Sequence, residues 1–215
     1  MTGTGTEVGK TVVAAAIART LRAEGRQVAV FKPAVTGLDE LATAEQPAAD
    51  HELLRRAAGS SQSDDEIAPY RYGPPMSPHL AAELAGARAA AADADALVCE
   101  GVGGLMVPLA TGYLVRDFAA DLGLPLIVAA SPGLGTINHT LLTIEAARAA
   151  GLEVRSVVLT PWPEGPSQIE RSNRETIAAL GEVEVEGLPP LDLAAPSSWP
   201  RLAPPPGRQA PSRPD

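Results

Sequence analysis

One cysteine, Cys99, stands in 215 residues, so no disulfide can form within the chain and no cysteine-based zinc cluster is available. Such sparing use fits a reducing compartment. Aromatic residues make up only 3% of the chain, which leaves the core to Ala, Val, Leu and Ile. No apolar run approaches membrane-spanning length, and no basic stretch followed by an apolar run marks a secretory signal. A cytoplasmic protein with no membrane partner is expected. The net charge of −9 argues against a protein that tracks nucleic-acid phosphates, so no nucleic-acid partner is expected. Lysine is nearly absent: of seventeen basic residues only Lys10 and Lys32 are lysine, and the rest are arginine. Where arginine meets every generic need for positive charge, the two positions that keep a compact ammonium become site candidates.

What is present is an alternation of elements. Helix-forming composition covers Val12–Arg22, 48–58, 77–92, 114–122, 136–150 and 167–180. Short apolar runs at 27–31, 96–99, 124–130 and 154–159 predict strands, with a last short one at 183–185. Ser167 with Glu170 three residues on predicts a capped helix start. The stretch 60–78 is rich in Pro, Ser and Asp and reads as loop. Strand runs that are apolar throughout predict an α/β fold, a doubly wound and mostly parallel sheet with helices on both faces. Such sheets bind ligands at the carboxyl ends of their strands. We expect one domain over residues 1–195 and a disordered Pro-rich tail over 196–215.

The strongest chemical signal is Gly3 to Thr11, GTGTEVGKT, entering an Ala-rich helix. Glycines free the backbone to turn N–H groups toward an anion, and the helix aims its N-terminus at the same point. Lys10 is placed to reach β- and γ-phosphates, and the Thr11 hydroxyl to bind Mg²⁺. Glu7, Val8, Gly9 and Val12 complete the candidate nucleotide cradle. Thr4 stands where the strict pattern has glycine, so the loop is a variant of the P-loop NTPase type. The loop opens at residue 2, with no apolar run before it to feed the sheet. The first strand is therefore expected to be missing, and a translation start further upstream is favoured.

Lys32 follows a strand in FKPAVTG and is a candidate to pair with phosphate or with an anionic substrate, with Thr36 offering a hydroxyl. Glu100 ends a buried strand ahead of GVGG, the usual position of an Mg²⁺ partner opposite a phosphate loop. The run Gly101, Val102, Gly103 lets phosphate approach the backbone. Asp50 opens a helix and is balanced between a metal role and a helix-start role. His51, His79 and His139 lack ligand spacing and read as surface or helix-end residues. Cys99 reads as a small buried apolar residue.

Taken together, GTGTEVGKT, FKPAVTG, Asp50, CEGVGGLMVPL and GTINHTLLT resemble the dethiobiotin synthetase family from residue 2 to about 190, and Pro75 to His79 also fits. The resemblance implies a ligase that joins 7,8-diaminononanoate, CO₂ and a nucleoside triphosphate, with ATP expected. It implies a homodimer. Lys10 and Lys32 are then catalytic; Thr11, Asp50 and Glu100 hold Mg²⁺; Thr6, Thr36 and Asn138 bind substrate, Asn138 across the subunit interface. The family's base-recognising Asn-Asp pair falls here on Thr160-Pro161, followed by Trp162. A partitioning-type ATPase switch competes, but it predicts an early loop lysine and a basic or amphipathic surface element, and neither is in the sequence. A truncated, non-catalytic nucleotide binder is the other alternative.

Overall fold

A computed structural model describes residues 1–35, 49–71 and 94–202. The chain runs β1 (Thr2–Gly3), α1 (Lys10–Ala23), β2 (Val28–Phe31), β3 (Ala34–Val35), α2 (Asp50–Ala58), α3 (Asp64–Ile67) and β4 (Tyr70–Arg71). It continues through β5 (Ala96–Cys99), β6 (Pro108–Ala110), β7 (Tyr113–Leu114), α4 (Val115–Leu122), β8 (Leu126–Ala130), α5 (Thr136–Ala149), β9 (Val154–Leu159), α6 (Gln168–Gly181) and β10 (Glu184–Gly187). The expected helix at 77–92 and the Pro75–His79 stretch lie outside the described residues.

The sheet is parallel. β1, β8, β9 and β10 hydrogen-bond in that order, and β2 pairs with β5. Met1 links the two groups: its amino group donates to the Cys99 carbonyl at 2.7 Å, and its carbonyl accepts from Gly101 N–H at 2.8 Å. The first strand is thus not missing. It is reduced to Thr2–Gly3, in register with Val128 and Ala129.

Strand side chains alternate between the faces, as the pleat requires. Val28, Val30, Val98, Ala129 and Val158 pack against α1 and α2; Phe31, Cys99, Val128, Ala130, Val157 and Leu159 join Phe118 of α4, Ile144 of α5 and Ile177 of α6 on the other face. Helices therefore cover both faces. Four alanines of α1, at 14, 15, 16 and 18, are fully buried, and their small size lets α1 lie close to the sheet. Gly25 follows α1 in the left-handed conformation, as a helix stop does. Ser167 caps α6 with Glu170 answering, the reciprocal arrangement predicted from the sequence.

Three expectations change. The stretch 60–78 is not all loop: Ser63 and Glu66 form a capping box that starts α3, and β4 pairs with β3. Pro108–Ala110 and Tyr113–Leu114 form a small antiparallel hairpin that was not anticipated. The tail does not begin at 196. Pro196–Ser198 make a 3₁₀ turn, Trp199 and Leu202 are buried with α1, and Leu202 N–H donates to the Thr20 hydroxyl at 3.0 Å. Residues 203–215 lie outside the described residues. Among the described residues no helix is long and apolar enough to cross a membrane.

Candidate functional site

The carboxyl ends of β1, β2 and β5 lie side by side, and each delivers a predicted residue. β1 opens into the loop at 4–9, which Gly9 closes as the left-handed N-cap of α1, with φ 83°. A Cβ at Gly9 would meet Thr160 Cγ2 at 2.5 Å, so Thr160, beyond β9, forms the outer wall of the loop. Glu7 also has positive φ, 58°, which is uncommon outside glycine and marks a tightly turned loop. Gly9→Ala should cost stability by about 1–2 kcal/mol from the left-handed backbone alone. The contact with Thr160 adds to that loss. Thermal melting should show the loss, with Thr160→Ser in the same chain recovering only the part due to the methyl group.

Lys10, the first residue of α1, folds back so that Nζ donates to the Gly5 carbonyl at 2.7 Å. Burial pushes its pKa below the ordinary lysine value; Glu100 opposes this and Lys32 adds to it. Lys32 leaves β2 with its backbone N–H anchored on the Ile67 carbonyl at 2.8 Å. Its ammonium meets three oxygens: Glu100 Oε1 at 2.7 Å, Thr11 Oγ1 at 3.3 Å and Asp50 Oδ2. Thr11 Oγ1 also donates to Glu100 Oε1, at 2.9 Å. Lys10, Lys32 and Glu100 are buried, Glu100 completely.

Burial disfavours the charged form of Lys32, but Glu100 and Asp50 outweigh it and raise its pKa. Burial likewise opposes the Asp50 charge, and Lys32 outweighs it and lowers the carboxyl's pKa. The Asp50 contribution to stability is present above its unfolded pKa and fades as pH falls through the lowered folded value. The Lys32 contribution is present below its unfolded pKa and fades as pH rises through the raised folded value. The pair is therefore charged on both sides across the neutral range.

Glu100 begins the turn that carries Gly101, Val102 and Gly103. A Cβ at Gly101 would lie 3.4 Å from the Met1 carbonyl, and one at Gly104 would lie 3.3 Å from the Gly3 carbonyl. The turn thus packs closely against the start of the loop through backbone. Asp50 is the first helical residue of α2, whose N-cap is Ala49; its carboxylate turns to Lys32 and does not cap the helix.

The structure gathers Lys10, Thr11, Lys32, Asp50 and Glu100 from four separate segments. Thr6 is exposed in the loop, and Asn138 is exposed on the first turn of α5; neither joins the Lys32 cluster. Thr36 lies outside the described residues, as does His79. His51 is not a surface residue: it is buried on α2, with Nε2 3.9 Å from Asp64 Oδ2. His139 is exposed and Cys99 is buried, as expected. Sequence reasoning missed the Gly5 carbonyl that seats Lys10 and the methyl of Thr160 against Gly9; neither leaves a local signal. After β9, Trp162 packs on Gly187, with the Arg174 guanidinium 5.7 Å from its ring centroid.

The arrangement also offers hard oxygen donors for a small divalent cation. Glu100 Oε2 is buried without a hydrogen-bond partner, and Asp50 and Thr11 stand beside it. Such a set fits Mg²⁺, which takes one or two carboxylates and completes its shell with water and phosphate oxygens. Among the described residues no group of three or more His, Cys, Asp or Glu side chains is gathered for a metal.

Residues 1–197 match the family model of an AAA domain. The chain is 39% identical over 203 residues to a Rhodococcus erythropolis protein named ATP-dependent dethiobiotin synthetase BioD, covering 88% of this chain and 86% of that one. A Bacillus cereus protein of the same name is 41% identical over 202 residues, covering 89% and 82%. One from Bacillus subtilis strain 168 is 34% identical over 201 residues, covering 88% and 85%. Among solved structures, a nucleotide-binding protein of Archaeoglobus fulgidus in complex with ADP aligns at TM-score 0.51 and 15% identity, over 92% of this chain and 83% of that one. At that identity the likeness concerns the fold.

Proposed function

We propose that this chain, which belongs to the ATP-dependent dethiobiotin synthetase family, closes the ureido ring of dethiobiotin with Lys10 and Lys32 as its two working cations. The family makes it a ligase of biotin biosynthesis, and the partitioning-type switch is not favoured. The single observation that supports the residue assignment is convergence. Lys32, one of the two lysines of the chain, meets the Thr11 hydroxyl and the Asp50 and Glu100 carboxylates, and the buried Lys10 ammonium, seated on the Gly5 carbonyl, feels the charges of Glu100, Lys32 and Asp50.

One amine of 7,8-diaminononanoate takes up CO₂ and loses a proton, giving a carbamate. A carbamate oxygen attacks the γ-phosphorus of ATP; the bond to the bridging oxygen breaks and ADP leaves, yielding a carbamic-phosphoric anhydride. The second amine then attacks the anhydride carbon and expels phosphate, and the cyclic urea forms. Lys32 holds the anionic carbamate in line with the phosphoryl group, a matter of position more than of proton transfer. Lys10 moves from the Gly5 carbonyl to the β- and γ-phosphates and stabilises the charge that spreads over the transferring group. The cradle of Glu7, Val8, Gly9, Val12 and the turn Gly101, Val102, Gly103 hold the triphosphate through backbone groups. Thr11, Asp50 and Glu100 would hold Mg²⁺, which neutralises phosphate charge when bound. Thr6 and Thr36 bind the diamine.

We place the enzyme in the cytoplasm, as one P-loop α/β domain, and read it as a homodimer. Leu134, Asn138 and Leu142 recur at four-residue intervals and are exposed, Leu134 fully, which suits an interface that brings Asn138 to a neighbouring substrate. The test is phosphate release that requires diamine, bicarbonate and Mg²⁺ together, with the ring-closed urea detected by mass spectrometry. Release that ignores the diamine would reject the reading.

A further inference from the structure

β2 pairs with β5 along its inner edge, where the Gln27 carbonyl accepts from Asp95 and Ala96 and the Phe31 carbonyl accepts from Glu100. Successive residues of a strand turn their N–H and C=O to opposite edges, so Val30 and Lys32 face outward. There Gln62 meets Val30 twice. Its Oε1 accepts from Val30 N–H at 2.9 Å, and its Nε2 donates to the Val30 carbonyl at 3.2 Å. A primary amide presents an acceptor and a donor side by side, as a peptide group does. The Gln62 side chain therefore stands where the backbone of a neighbouring strand would stand. Val30 is fully buried, and its outward N–H and C=O require such partners.

The amide is itself held. Ser60 Oγ donates to Gln62 Oε1 at 2.9 Å and accepts from Gln62 N–H at 3.1 Å. Val30 N–H can only donate, which fixes the oxygen end of the amide upon it. Directly afterwards Ser63 and Glu66 cap α3, and Ile67 at its end gives its carbonyl to Lys32 N–H at 2.8 Å. On the inner edge Glu100 N–H donates to the Phe31 carbonyl, also at 2.8 Å. The backbone that carries Lys32 is thus held from both sides, and its ammonium stands 2.7 Å from Glu100 Oε1.

We propose that Gln62 is a positioning residue for the ring closure: by standing in for a strand on the outer edge of β2, it fixes where the Lys32 ammonium stands. Its effect on rate rests on the reaction proposed above; its hold on β2 does not. The hydrogen bonds of Gln62 go to Val30 and Ser60, so it acts through the backbone. An ammonium that aligns an anionic carbamate works only at the right distance, and a shift of about 1 Å at reacting groups can cost on the order of a hundredfold in rate. Without the amide, the outward groups of Val30 turn to other partners and the end of β2 shifts with them. Lys10 is seated by α1 and the Gly5 carbonyl instead, so the change falls on Lys32 and spares the phosphate loop.

The test compares Gln62→Leu and Gln62→Glu with the parent, beside Ser167→Ala, which removes the cap of α6 and controls for lost stability alone. In Gln62→Leu, kcat for diamine-dependent phosphate release should fall by about tenfold to a hundredfold, with KM for the triphosphate unchanged. Exchange of the Val30 and Lys32 amides should quicken in the same variant. Ser167→Ala should leave kcat and both amides as in the parent. Gln62→Glu keeps an acceptor for Val30 N–H but sets a carboxylate oxygen against the Val30 carbonyl; protonation restores the missing donor. Its kcat relative to the parent should therefore recover as pH falls through the pKa of the introduced carboxyl, which the neighbouring carbonyl raises. Parent-like turnover in Gln62→Leu, an equal fall in Ser167→Ala, or a Gln62→Glu ratio indifferent to pH would each overturn the proposal. If the parent itself shows no diamine-dependent release, the reaction fails, and amide exchange still decides the role of Gln62: unchanged protection of Val30 and Lys32 in Gln62→Leu overturns it.

Discussion

Lys32→Gln is expected to reduce diamine-dependent phosphate release by on the order of 10²–10³-fold or more, the scale seen when one preorganised charge-stabilising donor is removed. Glutamine keeps an N–H donor but carries no charge, so it can fill the space and still fail to hold an anionic carbamate. The variant should nevertheless fold. Leaving a buried charge alone costs about 3–5 kcal/mol. Here Thr11 still donates to Glu100 Oε1 and the new amide can do the same, so the loss should fall short of that range. Melting should be lower and still cooperative. Mg²⁺ should raise the melting temperature of the variant more than that of the parent, because Lys32 and the metal draw on the same oxygens. A variant that keeps the parent's rate would remove Lys32 from the mechanism.

Lys10→Ala should separate activity from stability in the opposite way. Lys10 makes its hydrogen bond to a backbone carbonyl of its own loop, and burial already disfavours its charge. Removing it should change the melting temperature little. Triphosphate affinity should drop at least tenfold and turnover by on the order of 10²–10³-fold, since the phosphoryl charge loses its main partner. Lys10→Arg should not restore the rate: a planar fork cannot occupy the space of a compact ammonium in a closed loop. Isothermal titration with a non-hydrolysable triphosphate, beside melting of the same samples, measures both halves of this expectation.

The parts of the fold legible in the sequence were those written locally. Apolar strand runs, the Ala-rich α1 and the Ser167–Glu170 cap each carry their own signal, and each forms where expected. The same kind of signal was available for α3, where Ser63 and Glu66 have the capping-box spacing, but the surrounding polar composition hid it. His51 sits three residues before Leu54 on one helix face, so its burial was also readable from spacing. The two-residue strands and the small hairpin were not readable, because segments that short have no period. Lys10, Thr11, Lys32, Asp50 and Glu100 were each chosen from local context. That Lys32 binds Asp50, Glu100 and Thr11 together follows only from the parallel order of β1, β2 and β5.

Two acidic groups held close together repel when no cation is near. Seating Lys32 between Asp50 and Glu100 supplies a resident counter-ion. The charge that holds these two carboxylates together therefore belongs to the chain itself.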